Sequence, residues 1–118
     1  MTKYYKAVIF FLILCVIPFS VQAAPEKTDR ALIEPGKVHE VCMELEFGRR
    51  LTYAFISSRE MNFNIHYHQG EKVSFPVEEH LTKEESEIFT SQADQGYCMM
   101  WTNPNDKPSR LNVIYKVR

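Results

Sequence analysis

The chain has 118 residues, room for one domain, with 14 Lys and Arg, 15 Asp and Glu and a net charge of −1. That balance offers no electrostatic footprint for nucleic acid, which needs a basic face. Beyond the first residues no apolar run is long enough to span a bilayer, for which ~20 residues are needed.

The first element is a leader. Lys3 and Lys6 precede an apolar run from Ala7 to Phe19, and Val21 and Ala23 suit cleavage after Ala23. Residues 1–23 therefore read as a secretory signal peptide. Pro18 breaks the run, and Leu14 rather than a small residue precedes Cys15, which argues against a lipoprotein anchor. Cleavage removes Lys3, Lys6 and no acid, leaving 95 residues with 12 basic and 15 acidic side chains, a net charge of −3. The mature protein is expected in a periplasm or outside the cell, with no transmembrane segment. A domain of that size buries a limited core. Export places Cys42 and Cys98 in an oxidising compartment, where a bonded pair is favoured over two free thiols. The long loop between them gives the bridge roughly 4 kcal/mol in the chain-entropy model.

Residues 24–35 carry mixed charge and two prolines and read as a flexible lead-in to a domain over 36–118. From Val41 to Phe47 apolar and polar residues alternate, which predicts a half-buried strand. Leu51, Tyr53 and Phe55 repeat the pattern, and Ser57–Glu60 reads as a turn. Met61, Phe63, Ile65 and Tyr67 then alternate with Asn62, Asn64, His66 and His68. Gln69-Gly70-Glu71 is a hairpin signal, because glycine reaches positive φ without a steric cost. Val73, Phe75 and Val77 form the return strand, with Pro76 marking a sheet edge or strand end. The acidic stretch Glu78–Glu87 reads as a solvated loop. Short strands follow at Ile88–Ser91, Tyr97–Thr102 and Leu111–Val117, separated by turn residues. The sum is an all-β chain: a small antiparallel β-sandwich of about seven strands.

His66 and His68 are the sharpest chemical feature. Two residues apart on a strand, they share a face and can chelate copper or zinc. His80 follows on the next segment, and Cys98, Met99 and Met100 offer sulfur if the thiol is free. The plainer reading makes both histidines solvated residues of a polar sheet face. Most of Tyr53, Phe55, Phe63, Tyr67, Phe75, Tyr97 and Trp101 fall on the face that alternation assigns to the core. Trp101 reads as a core plug whose indole N–H needs a partner. No Gly-x-Ser-x-Gly and no phosphate-cradling glycine loop occurs, so no motif supports an enzyme.

Gly36 ahead of Cys42, the strand Met61–His68, and Gly96-Tyr-Cys-Met-Met-Trp-Thr-Asn103 before a polar turn and a final alternating strand together resemble the GOLD domain. That family is known from the lumenal part of secretory cargo receptors and from lipid-transfer proteins. The similarity covers roughly residues 36–118. It implies a jelly-roll type β-sandwich that binds cargo without catalytic residues. It also implies a disulfide between two cysteines. The first matches Cys42, while the second aligns with Met100, two residues past Cys98, so strand parity is kept but register is not. The coiled coil and membrane helix of a cargo receptor have no counterpart, and only the module carries over.

The expectation is thus an exported, non-catalytic binding module without a cofactor, with a protein or lipid partner and a surface around Asn62, Asn64, His66 and His68. The alternative is a periplasmic metal-binding protein using His66 and His68, with His80 near by.

Overall fold

The computed structural model describes residues 15–19 and 25–118, so most of the leader assigned to 1–23 lies outside the described residues. Six strands form one antiparallel sheet: β1 (Lys27–Ile33), β2 (Val38–Leu45), β3 (Arg50–Gln69), β4 (Lys72–Thr90), β5 (Gln95–Thr102) and β6 (Ser109–Val117). The described residues contain no helix. The all-β antiparallel class stands, and the strands number six rather than about seven.

The difference in number has a physical source. β3 and β4, of 20 and 19 residues, make one long hairpin. Its loop is Gly70-Glu71 between the paired residues Gln69 and Lys72. Gly70 takes φ +61°, and among the described residues no non-glycine residue, Glu71 included, has positive φ, as a two-residue type II′ hairpin requires. β4 runs along one edge of β3 throughout. The other edge is divided: β6 pairs with Leu51–Ser57, and β5 pairs with Asn62–Tyr67. β1 extends the sheet beyond β6, and β2 extends it beyond β5.

The turn expected at Ser57–Glu60 is therefore a bend inside β3. Those residues stand between the pairs Ile56–Glu84 and Met61–Thr82, so they face Lys83 alone. Ser57 is buried there and directs its hydroxyl at the carbonyls of Arg59 and Lys83. The local turn preference is used to redirect a strand instead of ending it. The acidic segment Glu78–Glu87, expected as a loop, is the body of β4. Its backbone bonds to β3 on one side, and its free edge faces solvent, where charged side chains discourage further pairing. Part of the expected lead-in is strand too: Lys27–Ile33 pairs with β6, and Ile33 is buried.

The two halves of the sheet curl toward each other over one core. The ring centroids of Phe55 and Phe63, one from each half of β3, lie 4.7 Å apart. Trp101 of β5 packs 5.4 Å from Phe55 and 5.2 Å from Phe63. Alternation assigned these faces correctly: Leu51, Tyr53, Met61, Ile65, Tyr97, Leu111 and Val113 are buried as well, and so is Met99, which the sequence offered as a sulfur donor. Trp101 is wholly buried, and its indole N–H has no hydrogen-bond partner among the described residues. Phe47 and Phe75, expected inside, are exposed, because Phe47 lies past the end of β2 and Phe75 sits on a bulge described below.

Asn103 ties the ends together. Its side-chain amide donates to Ile33 O at 2.9 Å and Lys107 O at 2.8 Å, and its Oδ1 accepts from the Asn105 backbone at 2.8 Å. Its own backbone exchanges bonds with Gly36 and Lys37. Nearby, His39 of β2 meets Asp29 of β1 at 2.6 Å, where the two ends of the curled sheet approach.

Candidate functional site

Over the C-terminal half of β3 the partner strand carries extra residues. Phe63 pairs with His80, Ile65 with Val77 and Tyr67 with Ser74. Twice in succession, then, two residues of β4 face one of β3. Glu78 and Glu79 face Asn64, and Phe75 and Pro76 face His66. Such bulges re-aim side chains and are common beside functional sites. They also explain how Pro76 fits into the strand, since a bulge on an edge needs no N–H there.

The bulges change the fate of the polar face. Asn64 and His66 lie on the outer face, yet they are only 1% and 4% exposed. Asn62 is half-buried and His68 exposed. An open cleft of about 690 Å³ has Asn64, Phe75, Glu78, Glu79 and Met100 as its lining. Its floor is a buried carboxamide, its rim is acidic, and Phe75 supplies an exposed aromatic lip whose ring centroid is 5.8 Å from His66.

His66 donates Nδ1–H to Asn64 Oδ1 at 2.8 Å. In the neutral ring that leaves Nε2 unprotonated, 3.6 Å from Glu40 Oε1. Burial holds the His66 imidazole below its ordinary pKa, outweighing the pull of Glu40 in the other direction, and neighbouring His68 adds to the lowering. A neutral imidazole fixed by a carboxamide, with one lone pair free, is the result.

The three histidines do not converge. His66 and His68 are neighbours, with centroids 5.2 Å apart at 81°. His80 is in register with Phe63 and packs edge-on against it at 5.7 Å, on the opposite face. Its Nε2 lies 2.6 Å from Glu85 Oε1 and its Nδ1 2.8 Å from Glu78 O. The bond to the Glu78 carbonyl raises its pKa first, and Glu85 raises it further. Burial and Glu85 together push the Tyr53 phenol far above its ordinary range.

The sulfur atoms are equally divided. Cys42 and Cys98 are disulfide-bonded across β2 and β5, Met99 is in the core, and Met100 lines the cleft. The sequence reading missed Glu40, Phe75, Glu78 and Glu79 as members of this surface, and offered Met100 only as a sulfur donor. Pro76, between apolar strand residues, was the one local signal of the irregularity. A second hollow, on the other half of the sheet, is lined by Ile56, Ile114 and neighbours and has no buried polar floor.

No family model and no curated protein matches the chain. Solved structures do match it in shape. PliG of Aeromonas hydrophila, a periplasmic lysozyme inhibitor of g-type lysozyme, has a TM-score of 0.59 at 10% identity, over 80% of this chain and 88% of its own. PirA has a TM-score of 0.58 at 13% identity, over 80% of this chain and 98% of its own. At these identities the likeness is one of fold: this chain is similar to both proteins in its curled antiparallel architecture.

Proposed function

We propose that this chain is an exported, non-catalytic module that binds a protein partner through the bulged edge of β4 and the cleft beside it. The observation that carries this reading is the pair of bulges. They place an exposed Phe75 and two carboxylates, Glu78 and Glu79, over a buried polar floor. Among the described residues β4 pairs with β3 alone, so its outer edge is open to a partner. An acidic rim beside an aromatic lip suits a lysine or arginine side chain, its stem on Phe75 and its charge between the two glutamates. The same rim repels an anionic lipid headgroup, which favours a protein over a lipid partner.

Export is supported by the leader pattern and by the disulfide. The sandwich implied by the GOLD resemblance is supported by the aromatic core that the two halves of the curled sheet share. PliG gives the first partner to test, a lysozyme. Purified protein is titrated calorimetrically with g-type and other lysozymes, and enzyme activity is followed in parallel. Binding weakened about 30-fold by Phe75→Ala, the ~2 kcal/mol of an interface anchor, supports the proposal. Loss of salt dependence in Glu78→Gln/Glu79→Gln supports the acidic rim. No binding to any lysozyme removes that partner, and binding untouched by these substitutions removes the β4 surface.

A further inference from the structure

Next to the cleft, four side chains of three chemical kinds lie side by side on the outer face. Cys42 of β2 and Cys98 of β5 are direct cross-strand partners with Cα atoms 4.0 Å apart. Cys98 is in turn in register with His66 of β3. The two sulfurs and a Glu40 carboxylate oxygen all lie within 4.8 Å of one another. Glu40 Oε1 is 3.6 Å from His66 Nε2, the nitrogen left with a free lone pair by the bond from Nδ1 to Asn64.

While the disulfide is closed, its sulfurs are poor ligands and the set is incomplete. Reduction completes it. A dithiol gives up two electrons and two protons and becomes a disulfide, and Cys42 and Cys98 each become a thiol. Cys42 is exposed, so a reductant can reach the bond. We propose that Cys42–Cys98 is the closed form of a redox-gated zinc site, in which the reduced thiols of Cys42 and Cys98 bind Zn²⁺ together with His66 and Glu40.

Two thiolates, one imidazole and one carboxylate make a four-coordinate set of the kind zinc accepts, and binding releases the two thiol protons. Two Zn–S bonds of ~2.3 Å at a tetrahedral angle put the sulfurs ~3.8 Å apart, which directly paired residues on adjacent strands can provide. Calcium and magnesium require oxygen ligands and do not fit this set. Asn64 is the positioning residue: by holding Nδ1–H it fixes the tautomer and aims Nε2. His68 and His80 take no part, which separates this site from a histidine cluster. The proposal is independent of the partner-binding reading.

The test uses purified protein, oxidised or reduced with a phosphine, which becomes the phosphine oxide as water supplies its oxygen and the thiol protons. Co²⁺ is titrated first, followed by thiolate-to-cobalt charge-transfer absorption, and Zn²⁺ then competes. Expected is one equivalent per chain after reduction and none before. His66→Gln and Glu40→Gln should each weaken binding by tenfold or more. Asn64→Ala should weaken it by about 10- to 100-fold without changing the number of thiolates seen in the spectrum. Binding by the oxidised protein, or binding indifferent to His66 and Glu40, overturns the proposal. So does a reduced protein that keeps its β-sheet circular dichroism and takes up no metal. If reduction melts the sheet, recovery of the β signal with one equivalent of zinc supports the site, and failure to recover it counts against it.

Discussion

His66 and His80 are the same residue type on one hairpin, and their surroundings push them in opposite directions. His66 is lowered from the ordinary value of 6.5 by burial, and His80 is raised from it by its bonds to the Glu78 carbonyl and to Glu85. The consequences for stability have opposite signs. The His80 contribution is fully present below 6.5 and is lost as pH rises through its folded value. The His66 contribution is present above 6.5 and is lost as pH falls toward its folded value, because the unfolded chain takes up a proton that the folded one resists. NMR titration of the ring protons should place His80 above 6.5 and His66 below it. In Glu85→Gln the His80 titration should move down. An unmoved His80 would show that Glu85 does not hold the proton there.

Asn103 is the other residue whose role depends on its surroundings. It is wholly buried and satisfies the carbonyls of Ile33 and Lys107. Asn103→Ala strands both, and at ~1–3 kcal/mol per unsatisfied buried group it should cost about 3 kcal/mol in urea denaturation. Asn105→Ala removes an exposed contact to Glu60 O and a side-chain bond to Asn103 Oδ1, which keeps its bond from the Asn105 backbone, and should cost about 1 kcal/mol. Equal losses in the two variants would contradict the role assigned to Asn103.

At the scale of elements, β4 decides most. Its sequence is acidic and poor in apolar residues, so composition alone assigns it to a loop. Pairing with β3 from Lys72 to Thr90, interrupted only at the bulges and at the bend opposite Lys83, overrides that preference, since the paired backbone groups gain ladder bonds. The acids then act where a sheet is most exposed to misassociation. Replacing Glu78, Glu84 and Glu87 with Val should raise β-propensity yet lower solubility, with dimers and larger species in size-exclusion chromatography. A variant that stays monomeric at high concentration would mean the β4 edge needs no such protection. Pro76 and the doubled residues Phe75-Pro76 and Glu78-Glu79 belong to this scale too. Each pair occupies a bulge, and together they close over Asn64 and His66.

For the whole molecule, the disulfide joins β2 to β5 across a separation of 56 residues. Removing it as Cys42→Ser/Cys98→Ser should cost about 4 kcal/mol by the loop-entropy relation. For a domain of this size that lowers Tm by roughly 15–30 °C. A variant with unchanged Tm would show that native packing already restrains the unfolded chain. The substitution leaves Asn64, His66 and the β4 bulges in place, so partner binding at low temperature should survive it.

Alternation by itself determined the β class and the inner face of β3, β5 and β6, because a strand's side chains alternate whatever the strand pairs with. The same parity put Asn62, Asn64, His66 and His68 on one outer face. The compartment implied by the leader anticipated the bond between Cys42 and Cys98. Only the tertiary structure decided that Lys27–Ile33 is a strand, that Ser57–Glu60 bends β3 without ending it, and that Glu78–Glu87 is the middle of β4. These three segments owe their conformation to hydrogen bonds with strands distant in sequence, which no local pattern encodes. Tertiary structure alone also buried Asn64 and His66 and turned His80 away from them. Burial on an outer face depends on what the neighbouring strand places opposite, and here two extra residues of β4 made that difference.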